Sequence, residues 1–180
     1  MKRLALLFTL ILSAGITGKA FGQFTQAEFV KEWQRAKNYT KAYLDAMPED
    51  GYKFKPTPEI RSFAQQMLHL ADANFSFASL ASGKASPYGH NAKQNDQLSK
   101  AVPETKEAVT KAVVESYDFA INALQGMTPE QLNSAVSLMN FTMTRFALFG
   151  KAFEHQTHHR GQTTIYLRLK GVTPPGEMLF

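Results

Sequence analysis

The chain of 180 residues contains no cysteine. Disulfides, thiolate metal ligands, a cysteine nucleophile and a lipid-accepting cysteine are therefore all excluded. Stability has to come from packing, and any metal has to be held by His, Asp or Glu. Internal repeats and low-complexity tracts are missing too, and strand-like alternation is nearly so; only Ser137–Met143, "SLMNFTM", is ambiguous between strand and helix. No apolar run reaches the ~20 residues that a membrane-spanning helix needs. The longest candidate runs from Leu4 to about Ile16, behind Lys2 and Arg3 and ahead of Ala20-Phe21-Gly22. That is the build of a secretory signal peptide, so residues 1–22 are expected to be cleaved, leaving residues 23–180 as one domain in an exported, periplasmic or secreted protein.

A large charge of one sign is the next thing missing. The whole chain has 20 Lys and Arg against 15 Asp and Glu. Three of those bases (Lys2, Arg3 and Lys19) and none of the acids lie in residues 1–22, so the remainder carries 17 against 15. Basicity is thus concentrated in the leader, which argues against a nucleic-acid partner. No membrane partner is expected after cleavage.

What is present is helical. Thr25 and Glu28 form a capping box, with Phe24 and Phe29 placed as a hydrophobic staple. Phe29, Trp33, Ala36, Tyr43 and Met47 follow at helical spacing and stop at Pro48. Thr57-Pro58-Glu59 is expected to open a second helix running to about Ala81. Pro103 opens a third, with Val109, Val113, Ser116, Ala120 and Ala123 as its stripe, and Gly126 ends it. "TPEQ" at Thr128 starts a short helix or turn. A fourth long helix spans Thr144 to Lys170, closed by Gly171 and Pro174-Pro175. The fold class is all-α, a four-helix bundle.

Three of the five histidines fall in "EHQTHHRGQ", Glu154–Gln162. Leu148, Ala152, His155, His159, Gln162, Tyr166 and Leu169 succeed one another by steps of four and three, the spacing of a core-facing seam. His155 and His159 thus occupy positions where a bundle ordinarily places leucine, while His158 lies off the seam and Arg160 projects from roughly the opposite face. An unpaired buried polar group costs ~1–3 kcal/mol. A divalent metal gives two imidazoles one turn apart a reason to be there. The competing readings are core histidines satisfied by carboxylates and a solvated basic patch. The zincin pattern is absent: His155 and His158 have the wrong spacing and no glutamate base. A third ligand would have to come from elsewhere, with His69, His90 and carboxylates as candidates. His90 sits in a Gly/Pro/Asn-rich loop that reads as exposed. The periodicity of the second helix turns His69 away from its apolar face, toward solvent or a wet cleft.

"MLHLADANFSF" together with "HQTHHRGQTTIYLRLKGVTPP" resembles the DinB-like (YfiT-related) family of four-helix bundles, over essentially the whole of residues 23–180. The resemblance implies a divalent metal, zinc or nickel, held by His69, His155 and His159, with His158 beside the set and not in it. It also suggests a homodimer. Three imidazoles would leave one position open, as in catalytic sites, where such an ion lowers the pKa of water to ~7. Relatives include thiol-dependent transferases and metal-dependent hydrolases. Those thiols are cytoplasmic and this chain reads as exported, which favours a hydrolase or a non-catalytic, stress-associated metal-binding protein of the envelope. A bundle with structural histidines engaged in protein contacts is the third reading. Asp72, Gln162 and Tyr166 are within reach as a general base, and the catalytic residue and substrate stay open.

Overall fold

A computed structural model of the chain describes residues 24–88 and 96–180. The leader expected at residues 1–22 and His90 lie outside the described residues. Helix α1 (Gln26–Ala46) begins at the expected capping box: Thr25 Oγ1 accepts from Glu28 N, and Glu28 accepts from Thr25 N. The Phe24 and Phe29 rings stack at 6.0 Å, completing the staple. The buried side of α1 carries Phe29, Trp33, Ala36, Tyr43 and Leu44.

Helix α2 (Phe63–Ser82) starts later than Pro58 led us to expect. Its N-cap is Ser62, locked in a reciprocal box with Gln65. Two of its first N–H groups are taken by the preceding loop, Phe63 N by Phe54 O and Ala64 N by Tyr52 O, at 3.0 and 2.9 Å. A capping box plus two backbone partners satisfies more orphan donors than a proline at the first helical position, which only dispenses with one. Ile60, inside the range expected for this helix, is accordingly outside it and 41% exposed. At the other end Gly83 takes the left-handed conformation, φ 75°, that closes the helix.

The short α3 (Leu98–Ala101) leads to α4 (Lys106–Gln125), capped by Thr105 and not opened by Pro103 directly. Thr128 caps α5 (Pro129–Asn133) with a box to Gln131. The ambiguous segment resolves as a hairpin: β1 (Ala135–Leu138) and β2 (Phe141–Thr144) pair antiparallel, with Leu138 opposite Phe141. Thr144 then caps α6 (Arg145–Leu169), so the hairpin runs straight into the helix that carries the histidines.

The four long helices α1, α2, α4 and α6 form the bundle, in which α2 packs most extensively on α6 and α4, and α1 closes the other side against α4 and α6. Among the described residues the fold is all-α apart from the hairpin. Among the described residues no helix is long and apolar enough to cross a membrane. Trp33 is fully buried, edge-on to Tyr117 and Phe153 at 5.9 and 5.5 Å, and anchors α1 to α4 and α6.

The proposed seam of α6 needs two corrections. Leu148, Ala152, His159 and Tyr166 are buried, but Leu169 is 58% exposed and Gln162 is also exposed. Arg160, expected to project away from the core, is buried, as are Gln156, Thr163 and Leu167. The reason is that α6 is enclosed on two sides, by α2 and by α1. A helix buried on two faces has no single apolar stripe, and a reading based on one stripe mistakes the second face for solvent.

Candidate metal centre

Residues i and i+4 on a helix stand side by side, so α6 itself brings His155 and His159 together, with ring centroids 4.3 Å apart. The facing helix α2 supplies His69, 5.2 Å from His155 and 4.6 Å from His159 between centroids. One nitrogen from each ring lies within 4.8 Å of the other two. A tetrahedral zinc with bonds of ~2.1 Å spaces its donors ~3.4 Å apart, so small rotations of the three side chains suffice to close the set. His69, which the periodicity of α2 turned toward solvent, is half-buried and points into this cluster. His158 does not belong to the three: it is exposed and sits edge-on to His159 at 4.9 Å.

The surroundings orient each ring. Asp96 Oδ1 lies 2.9 Å from His69 Nδ1, leaving Nε2 as the nitrogen available to an ion. Arg61 in turn grips Asp96 at 3.0 Å, and Tyr166 Oη donates to Arg61 O at 2.8 Å. A carboxylate behind a histidine is the usual support of a metal ligand: it fixes the ring and raises its basicity. The amide nitrogen of Gln66 donates to His159 Nδ1 at 2.7 Å, so in the neutral ring the proton sits on Nε2, and Nε2 becomes the free nitrogen once the amide turns to present its oxygen. Gln66 also contacts Gln162, which reaches His158 Nε2 at 2.8 Å. His155 has no such support. Its Nδ1 is buried and bonds to no described group, an orphan that costs ~1–3 kcal/mol.

Electrostatics keeps the rings neutral. Burial, reinforced by His69, His158 and Arg61, pushes His155 down to about 4. Burial, with His155 and His69 next, pushes His159 down to about 3. His69 is also lowered, by burial and Arg61, with Asp96 opposing. Burial raises the Asp96 carboxyl, but the hydrogen bond and charge of Arg61 outweigh it and hold the group below its ordinary value. Three neutral imidazoles, one of them with an orphaned ring nitrogen, fit a divalent cation, which needs unprotonated nitrogen donors.

The remaining candidates have other duties. Asp72 is buried and accepts from Leu98 N at 3.1 Å, capping α3. Tyr166 is tied to Arg61, and Gln162 to Gln66 and His158. Asp96 and Gln66 were not singled out from the sequence. Asp96 is 27 positions from His69 in a loop without periodicity; the hint it offered was its residue type, since Asp tolerates the positive φ of 59° it adopts.

Fold and cluster together define an all-α bundle with a three-histidine pocket between two of its helices. Residues 20–178 match the DinB family, and the chain belongs to it. It is similar to the uncharacterized protein YjoA of Bacillus subtilis (strain 168), 25% identical over 150 residues, which cover 81% of this chain and 91% of YjoA. YrdA of the same organism, also uncharacterized, is 24% identical over 159 residues, covering 84% and 87%. The crystal structure of a DinB-like protein from Bacillus cereus ATCC 10987 superposes with a TM-score of 0.72 at 21% identity, over 84% of this chain and 96% of that one. The crystal structure of YjoA gives 0.63, also at 21% identity, covering 84% and 94%.

Proposed function

We propose that the chain is an exported metalloprotein that holds one divalent ion, zinc or nickel, through His69, His155 and His159, and that it acts as a metal-dependent hydrolase on a small molecule. The observation that carries this reading is the convergence of three neutral imidazoles from α2 and α6 within 4.8 Å. All-imidazole donor sets suit zinc and nickel, and three protein ligands leave a position open. Bound there, such an ion supplies Lewis acidity toward a substrate oxygen and activation of water.

The chain's own residues do the rest. Asp96 and Arg61 hold His69 in one tautomer, and Gln66 fixes the orientation of the His159 ring. Burial against Phe77, whose ring lies 6.0 Å from that of His155, keeps one flank of the cluster apolar. The exported location, the loss of residues 1–22 and a homodimeric state belong to the same proposal, as does a small-molecule partner in place of nucleic acid or membrane.

A second reading, metal binding without catalysis, draws support from Asp96: the carboxylate at the site is engaged by both His69 and Arg61 and is not poised as a base. The experiment has two arms. Metal analysis of purified protein is expected to give one ion per chain, lost in His155→Ala and His159→Ala; a metal-free wild type of full stability rejects both readings. A panel of ester, amide and thioester substrates then separates them, since turnover that vanishes with the ion supports the hydrolase and a silent panel supports the second reading.

A further inference from the structure

Beside the histidines lies an open groove of about 600 Å³ that the metal reading leaves unused. Its walls are Leu138, Phe141 and Met143 of the hairpin, Phe77 of α2, and His155 and His158 of α6. The volume falls within the ~300–1,000 Å³ of small-molecule sites. Two charged residues stand at it, Lys151 and Glu154, and they pair with each other at 2.9 Å. Among the described residues the groove therefore offers apolar surface and no uncompensated charge. A charged ligand would lose hydration there without a partner, whereas an uncharged apolar one loses nothing.

The hairpin has features that packing does not explain. Phe141 is 68% exposed and Met139 84% exposed, although each is large and apolar. Met139 also holds a positive φ of 53°, at a turn position that glycine ordinarily fills. A strained backbone and exposed apolar side chains both stabilise the free protein less than a short polar Asn-Gly turn would. The same hairpin forms the outer wall of a groove whose inner wall is a member of the histidine cluster.

We propose that this groove is the binding site for the apolar body of an uncharged substrate, an aliphatic or aromatic group of about six to ten carbons, whose polar head reaches the ion through the His155 side. The proposal rests on the metal reading for the head group and on the groove alone for the body. The hairpin is then the specificity element: it selects for a neutral apolar tail and is indifferent to chemistry at the ion.

The test uses two probes on the purified protein. N-phenyl-1-naphthylamine, neutral and apolar, reports on the groove by fluorescence in metal-free protein. Acetohydroxamate and octanohydroxamate, in zinc-loaded protein, report on the join between groove and ion. We expect the naphthylamine to bind one per chain, and its affinity to fall about tenfold or more in Phe141→Ser and in Met143→Ser. The two variants, checked by thermal melting, guard against one of them failing to fold. We also expect octanohydroxamate to bind at least about tenfold tighter than acetohydroxamate, with that advantage lost in the same variants. Naphthylamine binding that is absent, or unchanged in both variants, overturns the groove. Equal affinity for the two hydroxamates overturns its connection to the ion. Dimerisation through the hairpin that excludes the probe, seen by sedimentation, overturns it as well by making this face an interface between copies. Failure of both hydroxamates to bind, with the naphthylamine result intact, counts against the metal reading and leaves the groove standing.

Discussion

Helix α6 buries polar side chains on two faces, and the two faces are built on opposite terms. Toward α1 and α4, Gln156 Oε1 accepts from Tyr117 Oη and from Arg160 Nη1, both at 2.8 Å, while its Nε2 donates to Phe153 O. Tyr117 and Thr40 share a hydrogen bond at 2.6 Å, and the Arg160 guanidinium lies 4.4 Å from the Tyr39 ring centroid. Each of these five side chains has a partner, although Trp33 Nε1 beside them has none among the described residues, and burial pushes the Tyr117 hydroxyl up to about 12, so it stays a donor at neutral pH. Toward α2, three imidazoles crowd together, one with a nitrogen that bonds to nothing described. A satisfied buried network is a structural joint. A set of like groups held neutral and short of partners has been left for something to complete it. Burial of polar residues therefore does not locate function in this bundle, and neither does a lone orphan atom, since Trp33 Nε1, Asn74 Oδ1 and Ser79 Oγ also lack partners among the described residues; the convergence of three like groups within 4.8 Å does.

Mutations can break that contrast. The largest effect is expected from His155→Ala or His159→Ala, which should abolish stoichiometric zinc while leaving the thermal stability of metal-free protein within about 1 kcal/mol of wild type, because what is removed is an incompletely satisfied site. Calorimetric titration and melting check this together. Arg160→Ala should do the reverse: it costs roughly 3 kcal/mol in urea unfolding, through the lost hydrogen bond and ring contact, and leaves zinc stoichiometry at one per chain if the variant is kept folded. If Arg160→Ala removed zinc from folded protein, the two faces would not be independent.

Asp96→Asn keeps the shape but removes the charge behind His69. Zinc affinity should fall about 10–100-fold with stoichiometry unchanged. Acidification gives an effect with a definite sign. His155 and His159 are held at about 4 and about 3 against an ordinary 6.5. Between those values the unfolded chain binds more protons than the folded one. Metal-free protein should therefore keep this contribution to stability above pH ~6.5, lose it progressively as pH falls toward 4 and then 3, and change little below that. A His155→Ala, His159→Ala double variant should show a shallower decline in urea unfolding at pH 7, 5.5 and 4.5. His158→Ala sits at the bottom of the scale, with zinc affinity changed by less than about threefold, since it meets the set through Gln162 and a ring edge and is none of the three donors.

How far the sequence could be read depended on how local each signal was. The Thr25 box, the Thr144 start of α6 and the i, i+4 pair of His155 and His159 are set within a few residues, and they stand as expected. The start of α2 was misplaced because Pro58 is a visible signal, while the support for Ser62 comes partly from Tyr52 and Phe54 across a loop. Arg160 was misread because one period was assumed for a helix enclosed on two sides. His69 illustrates the limit from the other direction: the pattern of α2 favoured solvent, and only the likeness of "MLHLADANFSF" to a known family placed it at the site. Asp96 was invisible, since no periodicity links a loop residue to a helix 27 positions away. The family and the fold were thus open to a reader of the sequence, and the three-histidine cluster largely so. The residues that orient its rings were not.

The most direct test of the account is X-ray absorption at the zinc edge on the protein loaded with one equivalent of zinc. Three imidazole nitrogens at ~2.0–2.1 Å are expected, with one further light-atom ligand that exchanges with added hydroxamate. A shell of four protein ligands, or one with fewer than three imidazoles that is unaltered in His69→Ala, would contradict it.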